Sequence, residues 1–376
     1  MFFLSIIFIK LSDKCKHNKY VKIIFLIVAL LLPCIMAGLR AIDIGTDVKV
    51  YLRPMYECAH SANSFNEYLQ LKVNKTRVVG NFEIGFTALI FLVTKLFNNF
   101  QAVMFFVELM IIIPIYLGIK KANYSKENSI WLEILSFYFM FYNTTLNLMR
   151  QFIGLSWLFL GTIILFSNDK KKNLKFLIIL ILACLFHKAS ILSLIIYAFY
   201  NILKINKMIK LGNIIISLKK LLMIVVCCVG IGIMLNADIL VNLLELFGMD
   251  YYSTYISGSI KLYISTFIKN APLILIILAT RKSFLKDIKN SYIFLAIFIY
   301  SIIIDQFTTV NVYAARIAFT FSIFNCLFFP TILKSKNCRK NYILKIVYVF
   351  YLLGFWYYYF VYCGGNETIP YKFYFL

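Results

Sequence analysis

Long apolar runs, each bounded by charged residues, follow one another along almost the whole chain. The first covers 21–39, and a polar stretch, 40–81, separates it from the rest. Further runs cover 82–97, 101–119, 130–148, 152–167, 176–186, 189–203, 221–235, 263–280, 291–304, 312–333 and 342–361. Apolar stretches of this kind predict membrane helices, because about 20 residues of helix cross a hydrocarbon core about 30 Å thick. Backbone inside lipid must satisfy its own hydrogen bonds, so the predicted core is a helix bundle. Residues 1–9 are apolar too, but nine residues cannot span. Basic residues follow that stretch instead of preceding it, and no small-residue cleavage site appears. We expect an interfacial stub, or the remnant of an extra helix, and no cleavable signal.

Composition agrees with the pattern. The chain has 376 residues, 62% of them hydrophobic, and a mean hydropathy of +0.83; soluble domains lie nearer about 45–50% apolar. We find no separable soluble domain, no Pro/Gly/Ser linker and no repeat of solenoid length. The expected fold is an all-α polytopic membrane protein, one integral membrane domain over 1–376, with about 10–12 transmembrane helices.

The net charge of +23 would suit nucleic acid, but its distribution argues otherwise. Lys and Arg cluster in short loops, at Lys10–Lys22, Lys120–Lys126, Lys170–Lys175, Lys204–Lys220, Arg281–Lys289 and Lys334–Lys345. The positive-inside rule calls for such loops on the cytoplasmic side, and no nucleic-acid partner is expected. The nine cysteines have no metal-ligand spacing and read as small apolar fillers. His17, His60 and His187 are too few and scattered for a metal site, so neither metal nor cofactor is expected.

Charge parity fixes the topology. If every run crossed, with the amino terminus inside, Lys120-Lys121 and Lys170–Lys172 would both lie outside, against the rule. The simplest repair keeps 82–97 from crossing. It begins with Asn81-Phe82-Glu83 and carries Lys95 near its end, so we expect a juxtamembrane helix on the outer face. Every Lys cluster then falls inside. The segment 176–203 has Lys-rich flanks on both sides and is divided by His187-Lys188. It predicts a short hairpin rising from the cytoplasm with its tip at His187. A second outer loop covers 236–262.

Most charged residues that interrupt apolar sequence now share the outer face. Arg40, Asp43, Gly45-Thr46-Asp47, Tyr51 and Arg53 lie in the first outer loop, followed by Arg77 and Glu83. Arg150-Gln151 sits between two apolar runs, His187-Lys188 tops the hairpin, and Tyr313 and Arg316 open a late span. Arg150 stands out, because an arginine costs roughly 2.5–3.5 kcal/mol at the centre of an inserted helix and no Lys-rich loop surrounds this one. Converging Arg and Lys suit an anionic ligand, and the planar guanidinium fork suits phosphate. Carboxylates among them can take a proton from an attacking hydroxyl, and aromatics can stack on sugar rings. Each residue also has a plainer reading. Arg40 and Arg53 can snorkel to headgroups, Gly45-Thr46-Asp47 can be a turn, and Glu83 can complement a helix dipole.

The order of these motifs resembles the EpsG-like family, relatives of Wzy-type polysaccharide polymerases. The carriers are Gly45-Thr46-Asp47, Glu83, Arg150-Gln151, Phe186-His187-Lys188-Ala189-Ser190, the pair Tyr313 and Arg316, and Ile369-Pro370-Tyr371-Lys372. The resemblance implies a GT-C-like glycosyltransferase of the bacterial inner membrane, acting on its outer face without a cofactor. It would join oligosaccharide repeat units carried on undecaprenyl diphosphate, for capsule, exopolysaccharide or O-antigen. Its partners would be that lipid-linked oligosaccharide and the bilayer, with a flippase and a chain-length regulator as further candidates. Arg150, with Arg316 or Lys188, would neutralise the departing diphosphate. Asp47 or Asp43 would be the general base, with His187 as second candidate. Gln151, Arg40, Arg53, Glu83, Tyr313 and Tyr51 complete the expected substrate-binding set.

Two rival readings come from other classes. A flippase would also be basic and polytopic, but should carry its charges along a midplane path. Here Glu108 and Glu133 are few for such a relay. A membrane acyltransferase modifying the polymer could also use His with Arg.

Overall fold

The computed structural model describes residues 1–202 apart from 16, 76 and 123–128, part of 204–246, and 263–287, 291–309, 316–334 and 341–375. The protein is an all-α polytopic membrane protein. Six of its described helices are long and apolar enough to cross a membrane: Lys19–Leu39, Phe100–Ala122, Met149–Phe166, Ile264–Arg281, Arg316–Leu333 and Tyr342–Tyr362. Ile84–Phe97, Lys188–Ile202 and Ser291–Asp305 are shorter apolar helices. The described residues group into two compact units, Met1–Ile191 with Tyr342–Leu376, and Leu192–Asn341.

The first unit begins with α1 (Phe2–Lys14) and α2 (Lys19–Leu39). The stretch expected as a stub is therefore a helix, and it is longer than its apolar run. Asn18 Oδ1 caps α2 by accepting from the amides of Tyr20 and Val21, which turns the chain back on itself. Ser12 Oγ then reaches Lys22 O at 2.9 Å, and Ser5 Oγ reaches Ala29 O at 2.8 Å. These side-chain bonds extend helix into Lys10–Lys14, where apolarity alone stops. Thirteen residues rise about 20 Å, still short of the hydrocarbon core.

After α2 come a π turn (Val48–Leu52), α3 (Arg53–Ser61), α4 (Phe65–Gln70) and a two-residue hairpin, 72–73 with 77–78. Then follow α5 (Ile84–Phe97) and α6 (Phe100–Ala122). The run 130–148 is one continuous helix interrupted by a π bulge. It is α7 (Trp131–Phe137), a π turn (Tyr138–Tyr142) and α8 (Asn143–Asn147), ending at Leu148 with φ −87° and ψ 50°. Short polar side chains at Asn143–Thr145 compete for backbone partners; Thr145 Oγ1 donates to Glu108 at 3.0 Å, and Asn143 and Thr144 bond the turn after the last helix. A new helix, α9 (Met149–Phe166), starts at once, and α10 (Lys172–Phe186) follows it.

Small residues set the spacing. α9 is the centre of the unit, with 83% of its span buried and α6 and α10 on either side. A Cβ on Gly118 of α6 would come within 2.7 Å of the Phe159 ring, and one on Gly38 of α2 within 3.1 Å of Gln101 O. Glycine lets helices approach where lipid supplies no hydrophobic drive between them. The unit closes with α15 (Tyr342–Tyr362) and a turn at 364–367.

The second unit holds α11 (Leu194–Ile202), α12 (Ile264–Asp287), α13 (Ser291–Asp305) and α14 (Arg316–Leu333). Phe294 stacks on Phe328 with centroids 5.6 Å apart, and Phe199 meets the edge of Tyr300 at 5.2 Å. Asp305 accepts from Lys269 Nζ at 2.7 Å and Thr266 Oγ1 at 2.9 Å. The outer loop expected at 236–262 lies largely outside the described residues.

Candidate active site

Three helix ends meet in the first unit. Arg150 is in the first turn of α9, because the chain breaks at Leu148 and restarts at Met149. A cation at a helix amino end is opposed by the macrodipole and needs a carboxylate. Glu83, the N-cap of α5, supplies it: Arg150 Nη1 donates to Glu83 Oε2 at 2.8 Å. At its own position Glu83 is favoured by the dipole of α5. His187 ends α10 in extended backbone and brings Nδ1 to 3.6 Å from Glu83 Oε1. That is longer than a hydrogen bond.

Two glycines allow the meeting. A Cβ on Gly154, one helical turn beyond Arg150, would lie 2.6 Å from Ser190 Oγ and 3.3 Å from His187 Cβ. A Cβ on Gly85 would lie 2.8 Å from Leu185 O. The break after α10 therefore rests directly on α9 and α5.

The cluster is shielded. Arg150, Glu83 and His187 have side chains 19%, 8% and 12% exposed. The Arg150 guanidinium lies over Tyr51 at 5.4 Å and Phe82 at 5.1 Å, while Arg77 covers Phe82 at 4.0 Å. Such contacts contribute about 0.5–2 kcal/mol each, more as water is excluded. Burial opposes ionisation of Glu83, but His187 and the charge of Arg150 outweigh it and hold the carboxyl well below the usual carboxylate range. Beside the cluster an open cleft of about 570 Å³ runs between the Gly80–Ile84 turn and Cys184, Leu185 and Lys188.

The other expected residues fall in several places. Gln151 is buried next to Arg150. Lys188 is exposed at the cleft. Tyr51, in the first π turn, lies under Arg150. Asp47 is half-buried, with its amide donating to Asn147 Oδ1 at 2.9 Å. Asp43 is exposed, 3.6 Å from Lys372 Nζ. Two cations stand apart. Arg53 bonds Glu57 at 2.7 Å and stacks on Tyr56 and Phe100. Arg40 is 1% exposed, with Nη2 on Met149 Sδ at 3.3 Å. Arg316 opens α14 in the second unit, and Tyr313 lies outside the described residues. Among the described residues no group of three His, Cys, Asp or Glu side chains is placed to hold a metal ion.

Asn147, Asn366 and Glu367 were not singled out in the sequence. Asn147 Nδ2 donates to Asn366 Oδ1 at 3.4 Å, and Thr46 Oγ1 donates to Glu367 Oε2 at 2.6 Å. The polar run Asn143–Asn147 just before Arg150 was the available signal.

Fold and cluster together define a multi-pass membrane protein with a shielded carboxylate–guanidinium–imidazole site at converging helix ends. Comparison with known families gives the identity: the chain belongs to the EpsG family, whose model matches residues 22–373. This is a family of Wzy-type polymerase-like membrane proteins, so the chain has a membrane polysaccharide polymerase-like role. No curated protein and no solved structure matched it.

Proposed function

We propose that this protein is a membrane glycosyltransferase that joins oligosaccharide repeat units carried on undecaprenyl diphosphate, on the outer face of the bacterial inner membrane. The observation that carries this reading is the convergence of Glu83, Arg150 and His187 beside the cleft. Membership of a polymerase-like family supports this class of reaction.

In the reaction, a hydroxyl of one lipid-linked unit attacks the anomeric carbon of the growing chain. The sugar–phosphate bond breaks and the lipid diphosphate leaves. Negative charge builds on that leaving group, so a fixed guanidinium helps most in the transition state. Arg150 has this role, with Lys188 at the cleft as second cation. Glu83 holds Arg150 in place and faces His187 Nδ1 at 3.6 Å. His187 is the general base that takes the hydroxyl proton. Asp47, fixed at its amide by Asn147, is the other base candidate. Asp43 is exposed and faces Lys372, and Arg40 and Arg53 serve the loop structure. The lipid has a path along α10, where Leu174, Ile178, Ile181 and Leu185 form one exposed apolar stripe that ends at the cleft.

Deleting the gene and sizing the surface polysaccharide tests the reading. Loss of a polymerase leaves single repeat units on lipid outside the membrane. Units retained inside would mean a flippase, and full-length polymer of altered mass an acyltransferase; either result would overturn the proposal.

A further inference from the structure

The turn after α15 has unusual backbone. Gly364, Asn366 and Glu367 have φ of 63°, 64° and 53°. Glycine and asparagine enter the left-handed region readily; a glutamate does so at a cost in free energy. Such a conformation persists where its surroundings over-determine it, and it accumulates at functional sites.

The surroundings of Glu367 are specific. Its carbonyl accepts from Gly45 N at 3.1 Å, and its Oε2 accepts from Thr46 Oγ1 at 2.6 Å. Asn366 Nδ2 donates to Thr144 Oγ1 at 3.1 Å, and Thr368 Oγ1 accepts from Asn143 Nδ2 at 2.9 Å. Farther on, Ala41 N donates to Lys372 O at 2.9 Å and Tyr374 N to Leu39 O at 3.0 Å, around a bridge between Arg40 and Phe373.

One segment, 364–374, therefore holds both ends of the loop 40–47 and also α8. Gly45 has φ +85°, and a Cβ there would lie 3.0 Å from Leu146 O, so this loop is pressed onto the end of α8. Asn147 fastens it by accepting from Asp47 N. Three residues after Asn147 comes Arg150, and four residues after Asp47 comes Tyr51, whose ring lies under Arg150.

We propose that segment 364–374 is a positioning strap for the site, and that Glu367 is the residue that sets the Gly45–Asp47 loop, and with it Tyr51, against Asn147 and Arg150. Glu367 acts through Thr46 and Gly45. The inference rests on the polymerase reading only where its test reads that reaction.

Glu367→Gly separates positioning from plain stabilisation. It relieves the left-handed strain and keeps the main-chain acceptor for Gly45 N, while removing the side chain that accepts from Thr46. In vesicles holding the full chain and a lipid-diphosphate-linked oligosaccharide, kcat should fall at least tenfold. KM should change less than threefold, and thermal stability should not drop. Glu367→Gln keeps an oxygen acceptor for Thr46 and should recover kcat to within about threefold of the parent. Thr46→Val should match Glu367→Gly, and the double variant should be no worse than either. Parental kcat in Glu367→Gly, or losses that multiply in the double variant, would overturn the strap.

Hydrogen exchange gives a readout independent of any reaction. Glu367→Gly should lose protection over 44–51 while α9 keeps its own. Unchanged protection at 44–51 overturns the strap whether or not the protein joins saccharides. Vesicles in which the parent protein joins none, with exchange altered as expected, would overturn the polymerase reading alone.

Discussion

Neutralising Glu83 should destabilise the protein, and neutralising Arg150 as well should add little to the loss. Removing one partner of a buried ion pair strands the other charge, at about 3–5 kcal/mol, whereas an exposed pair is worth about 0–1 kcal/mol. Glu83 is 8% exposed and Arg150 19%, which places their 2.8 Å contact near the buried limit. Residual access to solvent and the faces of Tyr51 and Phe82 soften the loss. We therefore expect about 3 kcal/mol for Glu83→Gln. Arg150→Gln should cost a similar amount, because it leaves Glu83 buried opposite His187 alone. The double variant places two amides within reach of each other and strands no charge. It should cost about as much as either single, a coupling of about 2–3 kcal/mol. Unfolding of all four proteins in one detergent closes the cycle. Additivity within about 0.5 kcal/mol would refute the claim that this pair is shielded and mutually dependent.

Other consequences are simpler to measure. Gly154→Ala would place a methyl 2.6 Å from Ser190 Oγ, whose hydroxyl must turn away, and 3.2–3.3 Å from Ala183 O and His187 Cβ, which must give by a few tenths of an ångström; polymer synthesis should fall several-fold with the protein still in the membrane. Normal synthesis would show that the close approach is not needed. Acid should act late on the Glu83 pair. Its carboxyl titrates below the usual range in the folded protein, so its stabilisation is complete above the ordinary glutamate pKa of about 4.3 and is lost only as pH falls through the depressed value. The stability difference between parent and Glu83→Gln should therefore be flat from pH 5 to 8 and shrink only below that window; a difference that fades near pH 6 would contradict it. Tyr51→Leu, which removes one face under Arg150, should lower kcat for the lipid-linked saccharide several-fold with KM changed less. An unchanged kcat would remove Tyr51 from the site.

Much of this arrangement was legible in the chain, and particular residues show why the rest was not. Arg150 announced itself because a cation between two apolar runs is costly without a purpose. Glu83 was visible as a charge at a helix start, but its pairing with Arg150 depends on where α5 and α9 begin in space. Gly85 and Gly154, which make the approach possible, look like any other glycine in a membrane helix. The end of the run 130–148 just before Arg150 was legible; that the break falls at Leu148 and the next helix restarts at Met149, so that Arg150 lies in a first turn and not in a loop, is visible only in the structure. Arg53 has a sufficient partner four residues on in Glu57, the ordinary helical spacing for an ion pair. Glu367 and Asn366 sit in a Gly-Gly-Asn-Glu stretch that resembles an ordinary turn, and their contacts lie more than two hundred residues away in sequence.

The central claim is that Arg150 meets the diphosphate of a lipid-linked sugar during polymer growth. Arg150→Ala, produced from its own locus at parental membrane levels, tests it directly through the chain-length distribution of the surface polysaccharide. The account predicts that long polymer disappears and single repeat units remain on lipid, and that Arg150→Lys restores only a small part. Polymer of normal length from Arg150→Ala would contradict it.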